Sequence, residues 1–252
     1  MRKNFKRKNY VLFGAIGIAA VALSSVGFAT WITGMKKDNA TSDIQISVDT
    51  ATNDTMYLDV ALSEADKSIN VTEKVAKSDD GKLYNNSETP ADLTFTFSKF
   101  RLIYSSIYDT KNPVVTMAVS FTKDGSPAST VSYANGKISA DSKASYLNFP
   151  TTFFASGTNN IALRDANESE KIAGYTVKVM DKLEIKLDWG DLFGNKAPTT
   201  HYNSQLTSEK TLEQKLAIMS EATSTLNTMS ANLNGLKMNL SFTASWTGKP
   251  AN

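Results

Sequence analysis

The sequence predicts a mainly β protein: a two-sheet, antiparallel, jelly-roll-like sandwich of about eight strands, with one appended amphipathic helix and an N-terminal signal or transmembrane helix. Three observations predict it. Segments with alternating apolar and polar residues recur along the chain, turn-forming dipeptides separate them, and a single segment changes to helical spacing. Strands that are apolar on one face need a second layer to cover that face, which favours a sandwich.

The first 29 residues have the pattern of an export leader. MRKNFKRKNY carries five basic residues and no acidic one, and the apolar run VLFGAIGIAAVAL follows. This is a basic region followed by a hydrophobic region. The small residues Gly27 and Ala29 predict cleavage between Ala29 and Thr30 by a signal peptidase. Alternatively, residues 9–35 stay uncleaved and anchor the chain in the membrane. Both readings place the rest of the chain outside the cytoplasm, as an extracellular or cell-surface protein.

Composition excludes several kinds of site. Cysteine is absent, so neither a disulfide framework nor a thiolate metal site is available. The formal net charge is +2, but loss of the leader removes five basic residues and leaves 22 basic against 25 acidic residues, a net charge of −3. The exported chain therefore has no basic excess, and we expect no nucleic acid partner.

A strand behind a flexible tether opens the folded part. Residues 30–43 are small and polar and predict a tether, and residues 44–252 predict the β-sandwich domain. Ile44, Ile46 and Val48 alternate with polar residues, so they share one face of a strand. Such a strand pairs either in its own sheet or in the sheet of a neighbouring molecule. It is therefore the candidate assembly strand.

Further strands are predicted from the same alternation. Residues 62–91 are polar and predict a long loop with a short hairpin, and Asn135-Gly136 predicts a tight hairpin turn because both residues tolerate positive φ. The predicted strands are 56–60, 93–97, 101–108 as an edge strand, 115–121, 130–133, 161–163, 175–179, 183–189 and 236–246.

One segment predicts the helix. Residues 208–229 place their apolar side chains at spacings of three, four and seven, which forms one stripe. Thr207 or Ser208 is the expected N-cap. The apolar stripe consists of Leu212, Leu216, Met219, Leu226 and Met229.

Chemistry-bearing residues are sparse. His201 is the only histidine, and we interpret it as a loop residue. In LDWGDLFGN, Asp188 and Asp191 are either a carboxylate pair or turn-forming residues. Trp189 and Phe193 are either a platform for sugars or core residues. Trp189, Asp191 and Phe193 therefore form the candidate binding loop. We expect no catalytic residues, no metal site, no cofactor and no enzymatic activity.

Both ends of the chain resemble a known family. The leader running into VGFATW, the polar spacer and the strand DIQISVD resemble the TasA/camelysin family of secreted Gram-positive proteins, and MNLSFTASWTG is similar to that family's closing strand. The resemblance implies a jelly-roll fold and extracellular matrix fibres built by strand exchange. In such fibres the freed N-terminal segment of one subunit completes a sheet of the next.

The sequence therefore favours an exported, non-enzymatic structural protein of the cell surface or biofilm matrix. Its expected partners are further copies of itself or other matrix and surface proteins. The alternative is a monomeric surface binding module, or adhesin, for a glycan or host ligand.

Overall fold

The chain folds into a mainly β structure. A computed structural model describes residues 43–51, 55–63, 66–71, 75–77, 83–85, 91–140, 144–156 and 158–247. Within these residues the strands are β1 (Asp43–Ala51), β2 (Met56–Leu62), β3 (Ser68–Asn70), β4 (Val75–Lys77), β5 (Leu83–Asn85), β6 (Thr94–Ser105), β7 (Pro113–Lys123), β8 (Ser126–Pro127), β9 (Ser132–Ala134), β10 (Lys137–Ser139), β11 (Ser145–Asn148), β12 (Leu163–Asp165), β13 (Tyr175–Met180), β14 (Glu184–Lys186), β15 (Asp188–Trp189) and β16 (Leu236–Trp246).

The first sheet has the order β3-β1-β16-β7-β8. Its longest pairing is antiparallel, between β16 and β7, and extends over the whole of β16. By contrast, β1 runs parallel to β16, with Gln45 opposite Lys237 and Ala51 opposite Thr243. β16 has the bounds that its alternation predicts, because every second residue is apolar and one face meets the core. Its buried residues are Leu236, Met238, Leu240, Phe242 and Ala244.

The second sheet is built around β6. β2 pairs with β6, β13 and β14 pair with its C-terminal and N-terminal parts, and β12 pairs with β13, all antiparallel. Ser98 and Lys99 are consecutive exposed residues, and the register with β2 shifts between Ala61 and Leu62. This bulge restores the buried face after an extra residue. Of the expected edge strand at 101–108, residues 101–105 are thus the second half of a central strand, and Ser106–Tyr108 form a 3-10 turn instead.

A third sheet has the order β15-β11-β10-β9, and β4 and β5 form a separate hairpin. The turn between β9 and β10 is the predicted Asn135-Gly136 dipeptide, with φ of 49° and 80°. Residues 183–189, expected as one strand, divide into β14 in the second sheet and β15 in the third. The chain leaves the second sheet at Leu187, whose amide donates to the carbonyl of Leu93. The alternation correctly predicted strand structure in this segment, but it does not indicate which sheet each half joins.

One hydrophobic core joins the three sheets. The ring of Phe242 on β16 contacts those of Phe97 and Phe100 on β6, with centroids 5.8 and 5.1 Å apart. Phe95 on β6 contacts Phe149, which follows β11, at 6.2 Å. All of these pairs are edge-to-face, the geometry that the ring quadrupole favours.

Two α-helices lie in the described residues: α1 (Pro198–Asn203) and α2 (Leu212–Leu233). α2 begins four residues later than the predicted segment 208–229, because Thr211 is the N-cap. Its hydroxyl accepts from the amide of Gln214, and the Gln214 side chain accepts from the amide of Thr211. Neither Thr207 nor Ser208 is the cap. Leu212 is consequently 63% exposed and not part of the buried stripe.

α2 packs through Ile218, Met219, Ala222, Leu226, Met229 and Leu233, which are buried. Asn232 near its C-terminus donates to the hydroxyl of Tyr146 on β11 at 2.8 Å. α1 was not expected, since its sequence was interpreted as a loop; Pro198 at its first position suits a helix start.

The described residues contain more strands than the eight expected, because many pairings involve only two or three residues. Seven strands have four residues or more. The predicted leader, the cleavage position at Ala29 and Thr30, and the tether up to residue 42 lie outside the described residues. Asp43, expected in the tether, begins β1.

Candidate functional site

The candidate assembly strand, β1, is built into the first sheet. Ile44 is completely buried, Ile46 is nearly so, and Val48 is half-buried against the core. The alternation therefore places these three side chains on the face that meets the core, as expected from the sequence. In this structure β1 pairs within its own chain.

β1 lies between a long strand, β16, and a short strand, β3. On one side its ladder with β16 covers residues 45–51. On the other side β3 pairs only with residues 43–45, and the amide of Ile46 donates to the carbonyl of Lys67 at 2.6 Å. Among the described residues no strand pairs with this side of β1 from Ser47 onwards. Within the described residues, most of β1 is thus paired with β16 alone.

A side-chain hydrogen bond fixes the register of β1 on β16. The hydroxyl of Ser47 donates to Oδ1 of Asn239 at 2.6 Å, and the two residues are 192 positions apart in the chain. Parallel strands cannot be joined by a tight turn. The pairing therefore depends on side chains and ladder hydrogen bonds, and not on a local connection.

The candidate binding loop is residues 189–194, here called the Trp189 turn. Gly190 is buried, and its amide donates to the carbonyl of Tyr146 at 2.8 Å. A Cβ at Gly190 would lie 2.0 Å from the carbonyl oxygen of Ser145. Only glycine permits this approach, so the turn is fixed against β11 at backbone level.

Phe193 anchors the same turn in the core. It is completely buried, its ring stands perpendicular to that of Trp189 with centroids 5.7 Å apart, and it also contacts Tyr202 on α1. The turn closes with Gly194 at φ 59°. Phe193 is therefore not available as a platform for a ligand, whereas Trp189 remains half-buried at the surface.

Asp191 connects the turn to two strands. Its Oδ2 accepts from Nζ of Lys137 on β10 at 2.8 Å, and its Oδ1 accepts from the amide and the hydroxyl of Ser145 on β11. The Lys137 ammonium, followed by the Ser145 hydroxyl, holds the pKa of the Asp191 carboxyl well below its usual range. Asp191 is thus a structural bridge in this arrangement.

A cleft of about 670 Å³, here called the Trp189 cleft, opens beside this turn. Its size is typical of ligand sites. The lining combines aromatic, amide, hydroxyl and charged groups, chiefly from Trp189, Phe149, Asn148, Asn195, Thr151, Lys186, Lys196, Asp92 and Asp188. Nδ2 of Asn148 donates to Oδ1 of Asn195 at 3.3 Å. Oδ1 of Asn148 is buried, without a hydrogen-bond partner among the described residues.

A second cavity of about 450 Å³ adjoins this cleft and shares Phe149 and Thr151 with it. We call it the Phe154 cavity. Its further lining is uncharged: Asn135, Gly136, Phe154, Ala155, Ser156, Thr158 and Asn159. Sequence reasoning identified Trp189 but none of the amides around it, because four separate segments bring them together.

The sequence also suggested Asp188 and His201 as candidates, and these lie on β15 and α1. Asp188 lines the Trp189 cleft, whereas Asp191 faces Lys137 and Ser145, so the two carboxylates serve different neighbours. His201 lies on α1, where its Nε2 is 3.0 Å from Nε2 of Gln205. In the part of the chain that the structure describes, no three His, Asp or Glu side chains gather in a way that would hold a metal ion.

None of the helices within the described ranges is both long and apolar enough to cross a membrane. No protein-family model, curated protein or solved structure matches the chain.

Proposed function

We propose that the protein is an exported, non-enzymatic structural protein of the cell surface or biofilm matrix, whose copies join by exchanging β1. The observation that carries the proposal is the parallel pairing of β1 with β16. Its contacts lie 192 residues away along the chain, so the same strand from another copy makes the same contacts. Export and location follow from the leader pattern, and the resemblance to the TasA/camelysin family supports the same assignment.

The fold that we propose for this role is a two-layer, jelly-roll-like sandwich. The ring contacts between β16 of the first sheet and β6 of the second support two facing layers. β1 is then one strand of one layer, and its removal leaves a groove along β16. Such a groove is the acceptor that strand exchange requires.

A groove along β16 that lacks β1 is energetically unfavourable. We therefore expect it to be filled by β1, either of the same chain or of another copy. Burial of a side chain such as Ile44 or Ile46 stabilises a fold by about 1.5–3 kcal/mol. The ladder along residues 45–51 adds backbone hydrogen bonds that would otherwise be left open. Intramolecular and exchanged states make the same contacts, so the protein concentration decides between them.

The connection after β1 limits the geometry of an exchanged assembly. Five Cα–Cα steps join Ala51 of β1 to Met56 of β2, a reach of at most about 18 Å. A copy that donates β1 therefore has to lie directly against the copy that accepts it. Repetition of this head-to-tail contact gives a filament, or a ring if the rotation closes.

A disulfide experiment tests the exchange directly, because the chain has no cysteine of its own. Ser47 and Asn239 are paired residues whose side chains touch, within the Cα separation that a disulfide needs. The variants Ser47→Cys and Asn239→Cys are unfolded, mixed, refolded together at high concentration and oxidised. We expect a disulfide-linked dimer on a non-reducing gel.

The matched control mixes Ser120→Cys with Asn239→Cys. Ser120 on β7 is also paired with Asn239, but β7 is not the exchanged strand. We expect this mixture to stay monomeric. A Ser47/Asn239 mixture that gives no more dimer than the control contradicts the exchange.

A further inference from the structure

We propose that the Trp189 cleft and the Phe154 cavity together form one groove that binds a neutral oligosaccharide. The two cavities share Phe149 and Thr151 as a common wall, so a ligand that lies across these residues enters both. The cavities measure about 670 and 450 Å³. A groove made of two adjoining cavities suits a chain of several linked sugar units better than a single compact molecule.

Aromatic and amide groups line both parts of the groove. Sugar rings present apolar C–H faces and a rim of hydroxyl groups. Trp189 and Phe154, both half-buried, supply apolar surface in the two cavities. Amides both donate and accept, so each one can serve a pair of neighbouring hydroxyls. The amides on the lining are Asn148 and Asn195 in the cleft and Asn135 and Asn159 in the cavity.

Asn148 provides the most specific indication. Its Oδ1 is buried and has no hydrogen-bond partner among the described residues, while its Nδ2 is oriented by Asn195. A buried acceptor without a donor is unfavourable by about 1–3 kcal/mol. A hydroxyl group of a ligand in the cleft is a donor that would satisfy it.

The charges on the groove favour a neutral ligand. Lys186 and Lys196 are balanced by Asp92 and Asp188 on the lining of the cleft, and the lining of the Phe154 cavity is uncharged. A polyanion or a polycation would meet both signs at close range, so neither is selected. An uncharged polyol avoids this cost and can accept from either lysine.

The test is a ¹H–¹⁵N NMR titration of the folded protein with three neutral tetrasaccharides at millimolar concentration: cellotetraose, maltotetraose and tetra-N-acetylchitotetraose. We expect at least one of them to shift amide signals of residues on both cavities. Trp189→Ala and Asn195→Gly should each weaken that binding at least tenfold. Glycine is chosen at Asn195 because φ there is 58°, so the backbone is preserved while the amide is removed.

Lys182→Ala is the matched control, since Lys182 is exposed and lies on neither lining. It should bind as the parent protein does. If Trp189→Ala does not fold, Asn195→Gly and Thr151→Ala decide the question. The proposal is overturned if no tetrasaccharide shifts any signal, if the shifts lie away from both cavities, or if only an acidic tetrasaccharide such as tetragalacturonate binds.

Discussion

β1 and the Trp189 turn are held in place by opposite means. β1 is joined to the first sheet by a parallel ladder and an apolar face, and no residue adjacent in sequence fixes it there. The Trp189 turn is locked by a backbone approach at Gly190 and by the bonds of Asp191 to two strands. The contacts of β1 with β16 follow one continuous ladder, whereas those of the turn converge from single residues of β10 and β11.

This difference is consistent with the two different tasks proposed above for the two regions. A strand held mainly by one ladder and by its apolar face suits the exchange proposed above. A turn fixed at several points keeps its side chains in place, which suits recognition of a ligand. The following predictions test how strongly each region is held.

The largest effect is expected for Gly190→Ala. The added methyl group would lie 2.0 Å from the Ser145 carbonyl oxygen, so the turn has to separate from β11. We expect a loss of about 4 kcal/mol in the free energy of unfolding, or failure to fold. Urea denaturation followed by tryptophan fluorescence measures it.

Gly174→Ala is the control for that substitution. Gly174 has a φ of 77°, but a Cβ added there would meet nothing within 4 Å. Only the backbone strain of the positive φ remains, and we expect a loss of about 1 kcal/mol in the free energy of unfolding. Equal losses at Gly174 and Gly190 would show that the close approach at Ser145 does not constrain the turn.

The next effect is expected for Ile44→Ala on β1. Ile44 is completely buried, so the substitution removes core contacts and leaves a cavity. We expect a loss of about 3 kcal/mol in the free energy of unfolding of the monomer. Thr50→Ala on the same strand is exposed and should change it by less than about 0.5 kcal/mol.

The same pair of variants separates stability from assembly. If β1 is exchanged, Ile44→Ala placed only on the Ser47→Cys copy reduces the cross-copy disulfide, because the unaltered β1 of the Asn239→Cys copy then competes better for the groove along β16. Thr50→Ala in the same position does not reduce it. An Ile44→Ala protein as stable as the parent would mean that β1 contributes little to the first sheet.

The smallest effect is expected for Asp191→Asn, and it depends on pH. The pKa of Asp191 is lower in the folded chain than in the unfolded chain, where it is near 3.9. Its stabilisation is therefore fully present above pH 4 and is lost as the pH falls toward the folded-state value. The side chain is 41% exposed, so solvent screening limits the contribution to about 1 kcal/mol.

Denaturation of the parent and of Asp191→Asn at pH 7 and at pH 3 measures this contribution. The difference between the two proteins should be present at pH 7 and smaller at pH 3. A difference that stays constant between these values would exclude the ion pair with Lys137 as its source.

Sequence patterns predicted the elements whose specification is local. The mainly β fold is confirmed, the bounds of β16 match its alternation, and Asn135-Gly136 forms the expected two-residue hairpin turn. In each case the signal lies within a few neighbouring residues: an unbroken period of two, or two residues that tolerate positive φ.

Elements decided by distant contacts were not predictable in the same way. The bulge at Ser98 and Lys99 interrupts the alternation of β6 and concealed its central position. The start of α2 was misplaced because Thr207 and Ser208 are also good caps. The Thr211–Gln214 capping box was a visible signal that would have decided it.

The candidate site shows the same division. Alternation placed Ile44, Ile46 and Val48 on the buried face of β1, but no sequence signal gave their parallel partner. Trp189 was recognised as a candidate, whereas Asn148 and Lys186 belong to the same cleft only through tertiary folding. A cleft assembled from separate segments leaves no local pattern in the chain.

The position of β16 has a consequence for synthesis. β16 lies between β1 and β7, and its residues follow those of β1 by 192 positions. At about 5–20 residues per second, synthesis of β16 follows that of β1 by about 10–40 s. During that interval β1 has no β16 to pair with, and a polypeptide released before Leu236 lacks the strand that joins β1 to β7. The first sheet is thus completed only once β16 has been made.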